Sequence, residues 1–149
     1  MKFLKIFTFI LLACIVLYLL VGLFLPKSAS LERELEIYAP SELVLDRVIA
    51  LYDEHIWPIW GRDDTSIVFT PLTNTNGYRW EGSQVAYGEC EYTVSPDNTV
   101  RDVIRFRGLE IARTVWTLDG SFPVKLHLEF TIDAGNNIST RWTNLFIER

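Results

Sequence analysis

The sequence specifies an α+β domain, a mostly antiparallel sheet with two short helices after its first strand, carried behind one N-terminal transmembrane helix. Three observations lead there. Ile6 to Leu25 is an uncharged, mostly apolar run, and at about 1.5 Å rise per helical residue it is long enough for the roughly 30 Å hydrocarbon core of a bilayer. After Pro40 the apolar residues recur at helical spacing. From Ser66 onward they recur at every second position instead.

The N-terminal run reads as an uncleaved anchor. A secretory signal peptide normally carries an apolar core of only about 7 to 15 residues, although Lys2 and Lys5 ahead of the run and Ser28-Ala29-Ser30 behind it would suit one. Leu12-Ala13-Cys14 is no lipoprotein signal, because the uncharged run continues well past the cysteine. Lys2, Lys5 and the terminal amine before the span, against Lys27 and Arg33 after it, give a slight positive-inside bias toward a cytoplasmic N-terminus. A short basic tail ahead of one span and a folded domain behind it places that domain on the periplasmic side of a bacterial inner membrane. The expected organisation is an anchor over 1–26, a linker over 27–31 and one domain over 32–149.

The whole chain carries a net charge of −5, and residues 27–149 set twelve basic against 19 acidic residues, a net of −7. Nucleic acid is excluded as a partner, since phosphate binding needs a concentrated positive surface. About 120 residues suffice for one core. Cys14 lies in the span and Cys90 alone in the domain, so no disulfide forms within the domain. His55 and His127 are the only histidines, and neither has a Cys or His neighbour at ligand spacing. No metal and no cofactor is expected. Asn137-Ile138-Ser139 matches a glycosylation sequon, which matters only in a eukaryotic secretory route.

Leu35 and Ile37 alternate with Glu34, Glu36 and Tyr38, as a half-buried first strand should. Pro40 ends it. Ser41 is placed to cap a helix whose apolar positions are Val44, Leu45, Val48, Ile49, Leu51 and Tyr52, with Glu42 in the first turn where the helix dipole favours an acid. Pro58 interrupts any continuation, and Trp57 and Trp60, three apart across it, point to roughly one side and are expected to be largely buried. Turn signals then fall at Asn74 to Gly77, Gly82-Ser83, Ser95 to Asn98, Asp119-Gly120 and Ala134 to Asn137. The clearest strand is Val124 to Asp133, with Val124, Leu126, Leu128, Phe130 and Ile132 facing one way and His127 on the polar face.

The hairpin around Pro96 can be registered from its residues alone. A three-residue loop at Pro96 to Asn98 sets Cys90 opposite Ile104 and Val94 opposite Val100 on one face, and Glu89 opposite Arg105 on the other. This register makes Arg101, Arg105 and Arg107 a one-sided row, read as pairing across strands with Glu89 and Glu91, with recognition of a headgroup as the alternative. Asp102 is the misfit, an acid on the apolar face opposite Tyr92. It reads as excused by its nearness to the hairpin end, with a polar anchor in a cavity as the alternative.

Several segments in order resemble one known family. Glu36 to Asp64, EIYAPSELVLDRVIALYDEHIWPIWGRDD, is similar to the opening of the polyketide cyclase/dehydrase-like branch of the START/Bet v 1 (SRPBCC) superfamily, where a strand ends in Ala-Pro, a helix follows and Trp-x-x-Trp comes next. Gly77 to Gly82 resembles that family's hairpin with its Trp-Glu-Gly, Gly88 to Pro96 its next strand and turn, and Asn137 to Trp142 its last strand. The resemblance implies a helix-grip fold, a curved antiparallel sheet around a C-terminal helix with a cavity for a lipid, polyketide or other hydrophobic ligand. The sequence ends at Arg149, where the family continues into that helix. Ile138 to Ile147 reads as strand or as a short remnant of it. With the grip helix missing or reduced, a second chain in a homodimer, a membrane-protein partner, the bilayer or an open ligand groove must cover the apolar face.

The same family holds cyclases, hydrolases and carriers, so the fold does not choose among them. Asp53, Glu54 and His55 are the only close acid-base cluster and read as a hydrophilic helix end. The aromatics Trp57, Trp60, Phe69, Tyr78, Trp80, Tyr92, Phe106, Trp116, Phe130 and Trp142, together with Asp102, are the candidate lining of a hydrophobic-ligand site. The leading reading is a membrane-anchored, non-catalytic binding domain for a lipid or other hydrophobic small molecule. A cyclase-like enzyme using a carboxylate with an arginine or tyrosine is the second. An interaction module that docks a membrane partner through its sheet face is the third.

Overall fold

A computed structural model describes residues 2–57 and 64–144. The element order is α1 (Lys2–Phe24), β1 (Ser28–Ile37), α2 (Ser41–Asp53), β2 (Val68–Pro71), β3 (Asn76–Glu81), β4 (Gly88–Val94), β5 (Thr99–Phe106), β6 (Leu109–Asp119), β7 (Val124–Asp133) and α3 (Ile138–Asn144). The seven strands form one sheet in the order β1-β7-β6-β5-β4-β3-β2. The chain divides into two compact units, one made of residues 1–29 with 133–149 and the other of Ser30–Ile132.

In the larger unit, alternation along the strands sends one set of side chains to the α2 side of the sheet. Tyr78 and Trp80 of β3, Cys90 and Tyr92 of β4, Val100 and Ile104 of β5, Ala112, Trp116 and Leu118 of β6, and Val124 and Leu126 of β7 are all buried there. From α2 come Val44, Val48 and Tyr52, at the i, i+4, i+8 spacing of one helix face. The opposite face carries charge in alternating sign. Glu89 reaches Arg79 at 3.5 Å and Arg105 at 3.6 Å, and Arg105 also reaches Glu91 at 3.0 Å.

The hairpin register read from the sequence holds. Cys90 pairs with Ile104, Val94 with Val100 and Glu89 with Arg105, and Ser95 N donates to Thr99 O at 2.8 Å across a loop of Pro96 to Asn98. Asn98 takes the left-handed conformation (φ 57°) that closes such a loop. Arg107, however, does not extend the arginine row. It forms a two-residue turn with Gly108, both at positive φ (51° and 78°), that joins β5 to β6. The strand β7 occupies Val124–Asp133, the span read from its alternation.

Three local expectations are corrected. Ser41 makes no side-chain cap; the N-cap of α2 is Pro40, and Ser41 is the first helical residue. β1 already begins at Ser28, inside the stretch read as a linker, and Leu35 on it is exposed. Of the two readings of the last segment, strand or short helical remnant, the described residues take the second, a helix over Ile138–Asn144, so Asn137 to Trp142 is not a strand. Its reason is local: Asn137 is a cap, its Oδ1 accepting from Thr140 N at 3.2 Å and its carbonyl from Arg141 N at 3.1 Å.

α2 ends in a left-handed C-cap. His55 has φ 58°, its N–H donates to Tyr52 O at 3.0 Å, and Ile56 N–H donates to Leu51 O at 2.9 Å, the paired bonds of a Schellman motif. Asp53, Glu54 and His55 are thus a helix terminus, as their polarity suggested. The turn also delivers Trp57 back toward the sheet.

Candidate functional site

The register places Tyr92, Asp102, Thr114 and Phe130 in one row across β4 to β7, beside a second row of Val94, Val100, Trp116 and Leu128. Above these rows lie the last turn of α2 and the Trp57 segment. Tyr52 Oη donates to Asp102 Oδ2 at 2.5 Å, Trp57 Nε1 donates to the same oxygen at 3.0 Å, and Thr114 N donates to Oδ1 at 3.0 Å. Trp116 Nε1 donates to Tyr52 Oη at 2.8 Å. Three donors thus converge on the Asp102 carboxyl, and Trp116 supports the first of them by donating to Tyr52 Oη.

Asp102 is 2% exposed and Tyr52 is fully buried. Asp102 is therefore a polar anchor of the core, and the reading that excused it by nearness to the hairpin end is overturned. Burial raises its pKa, and the bonds from Tyr52, Thr114 and Trp57 pull in the opposite direction. Burial first and the neighbouring Asp102 charge second push the Tyr52 hydroxyl far above the ordinary tyrosine range, so it keeps its proton and donates.

Around this anchor the rings pack in two zones. The deep zone is closed: Tyr52 and Tyr92 stack at 4.6 Å, Tyr92 Oη donates to Asp53 Oδ1 at 2.8 Å, and Trp80 Nε1 donates to Ala86 O at 3.1 Å. Tyr78, Trp80, Tyr92 and Trp116 are each less than a tenth exposed. Burial, ahead of the bond to Asp53, pushes the Tyr92 hydroxyl up to about 12. Cys90 is sealed here too, its thiol raised by burial. Tyr78 Oη is buried with no hydrogen-bond partner among the described residues.

The second zone is half-open. Trp57 meets Trp116 edge-on at 5.8 Å and Phe130 edge-on at 5.9 Å. Trp57, Leu128, Phe130 and Ile132 are half-buried against the core and leave an apolar strip along β7. Phe69 and Phe106 are half-buried as well, Phe69 beside His55 at 4.6 Å and Phe106 beside Trp80 at 5.3 Å.

The candidate lining residues thus separate. Trp57, Tyr92, Asp102, Trp116 and Phe130 come together at the anchor; Phe69, Tyr78, Trp80 and Phe106 form the neighbouring wall toward β3. Trp142 belongs to the other unit, in α3, stacked on Tyr18 at 5.2 Å. Trp60 lies outside the described residues. Sequence reasoning missed Tyr52 as the partner of Asp102, because it was legible only as one apolar position of α2.

Neither a family sequence model nor any curated protein sequence matches this chain. Solved structures do. Norcoclaurine synthase from Thalictrum flavum, in complex with dopamine and hydroxybenzaldehyde, aligns with a TM-score of 0.52 at 8% identity, over 79% of this chain and 76% of that one. The di-domain ARO/CYC BexL from the BE-7585A biosynthetic pathway aligns at 0.51 with 13% identity, over 80% of this chain and 44% of that one. The Zhui aromatase/cyclase from Streptomyces sp. R1128 aligns at 0.50 with 11% identity, over 80% and 82%. At these identities the likeness is one of architecture, and it matches what the segments around Ala39-Pro40 and Trp80-Glu81-Gly82 implied. This chain has the Bet v 1/START-like fold.

Proposed function

We propose that this chain is a membrane-anchored, non-catalytic binding domain for a hydrophobic small molecule, lipid or polyketide-like, seated on the half-open strip formed by Trp57, Leu128, Phe130 and Ile132. The observation that carries the reading is the contrast between the two aromatic zones. The deep rings are already spent on one another, whereas the Trp57–Phe130 strip is only partly buried and keeps some apolar surface for a ligand to cover. The norcoclaurine synthase structure, with dopamine and hydroxybenzaldehyde bound, supports a small-molecule seat on this fold. Asp102 argues against catalysis. Its two oxygens already accept three donors and it is out of reach of solvent, so it offers no free acid or base to a ligand.

Anchoring rests on α1. It is the one described helix long and apolar enough to cross a membrane, over Phe3–Phe24, and its side chains are exposed almost throughout. An inward carboxylate 2.5 Å from a tyrosine hydroxyl is also what the cyclase-like alternative needs. That alternative requires the α2 end to lift and open Tyr52 and Asp102 to a substrate.

Photolabelling tests the reading. A diazirine-bearing fatty acid added to the full chain in membranes should label peptides containing Trp57 and Leu128 to Ile132, with unlabelled fatty acid competing. Labelling confined to Lys2–Phe24 would overturn the seat. Turnover of a polyketide-like substrate abolished by Asp102→Asn would replace the carrier with the enzyme.

A further inference from the structure

The smaller unit has a built contact that a removable leader would not need. Gly22 of α1 is buried, and a Cβ there would come within 2.3 Å of Ile138 Cγ2 and 3.0 Å of Trp142 Nε1. Only glycine lets α3 approach this closely, as small residues do where helices pack backbone to backbone. One turn earlier on the same face of α1, Tyr18 stacks on Trp142 at 5.2 Å and 7° between ring planes. Ile138 and Trp142 are themselves one turn apart on α3, so the two helices meet through matched faces.

Arg141 completes the seat. It is 4% exposed, and its Nη1 donates to Leu23 O at 3.1 Å, in the last turn of α1, where carbonyls lack intrahelical partners and the dipole is negative. Its Nε and Nη2 donate to Gly135 O at 3.0 and 2.7 Å. A backbone bond from Ala134 N to Lys27 O at 2.7 Å continues the contact past the helix end. We infer that α1 is a permanent part of the folded protein, docked on α3 through the Gly22 notch and the Arg141 cap, and is therefore retained and not cut away as a leader. Removal of α1 would strip a buried guanidinium of an acceptor and uncover Ile138 and Trp142 together. This deepens the anchoring half of the proposed function and is independent of its ligand half.

The notch supplies its own crosslinking test. A Cβ on Gly22 lies 3.5 Å from Ile138 Cβ, within the roughly 3.5–4.5 Å that a disulfide spans. In a Cys14→Ser background, Gly22→Cys with Ile138→Cys in the membrane-embedded full chain should lose both introduced thiols to alkylation after mild oxidation. The pair Gly22→Cys with Asn136→Cys should retain far more. Equal retention in both pairs would overturn the docking. The unsubstituted protein gives an arm that needs no refolding: peptide mapping of membranes should recover the N-terminal peptide of the mature chain, and a product beginning near Leu31 would overturn retention. Failure of the photolabelling with success of the crosslink would leave this inference standing and remove the ligand seat alone.

Discussion

Asp102 and Asp64 are two acids of low exposure that the fold treats in opposite ways. Asp64 accepts from Ser66 Oγ at 2.6 Å, Ser66 N at 3.0 Å, Gln84 N at 3.0 Å and Val85 N at 3.1 Å, tying the loop before β2 to the loop after β3. The Ser66 side-chain bond, then the Gln84 backbone bond, hold its pKa at about 2, below the ordinary 3.8. Its ionised form stabilises the fold, so that contribution is present above about pH 3.8 and is lost as pH falls toward 2. For Asp102 the folded pKa is raised. The native state then binds the more protons, and stability falls as pH rises from the unfolded carboxylate pKa toward the folded one. In thermal melts of the full chain in detergent, Asp102→Asn should remove the fall in stability that begins above the ordinary carboxylate pKa, and Asp64→Asn should flatten the loss at acid pH. A profile unchanged by both substitutions would refute the assignments. Asp102→Ala should cost about 3 kcal/mol or more, because Tyr52 Oη, Trp57 Nε1 and Thr114 N all lose an acceptor.

Helix α2 and the β5–β6 hairpin show how much of each element was legible. The alternation that fixed β7 and the charge complementarity that registered β4 on β5 are local patterns, and both survive folding intact. The Arg107-Gly108 turn was not legible, since an arginine at positive φ carries no turn signal of its own; the cost is accepted to close a two-residue loop. Arg107→Asn should therefore raise stability by about 1 kcal/mol, read as a shift of the denaturation midpoint without a change of slope. Likewise Asn137 to Trp142 alternates well enough for a strand, and its conversion to α3 depends on the Asn137 cap and on the seat offered by α1, a partner more than a hundred residues earlier. Asp102 was misplaced for the same reason. Its neighbours in sequence are strand residues, whereas two of its three donors come from Tyr52 and Trp57.

Taken together, the described chain joins an exposed apolar N-terminal helix to a Bet v 1/START-like sheet whose deep aromatic zone is shut and whose Trp57–Phe130 strip is half-open. The resemblance read from ordered segments reached this fold, but residue types alone could not separate fully buried core rings from partly buried ones. Trp57 has both roles, as donor to Asp102 and as wall of the strip. Trp57→Phe should keep most of the ring packing, lose the hydrogen bond and retain ligand. Trp57→Ala should weaken ligand binding more than it lowers stability, with a stability loss below the roughly 3–5 kcal/mol of a fully buried tryptophan. Native mass spectrometry of the full chain released from membranes puts the whole account to one test. The expected spectrum shows the intact chain with a copurified hydrophobic molecule of defined mass, diminished in Trp57→Ala; a bare chain in both proteins, or the same adduct at equal abundance in both, would refute it.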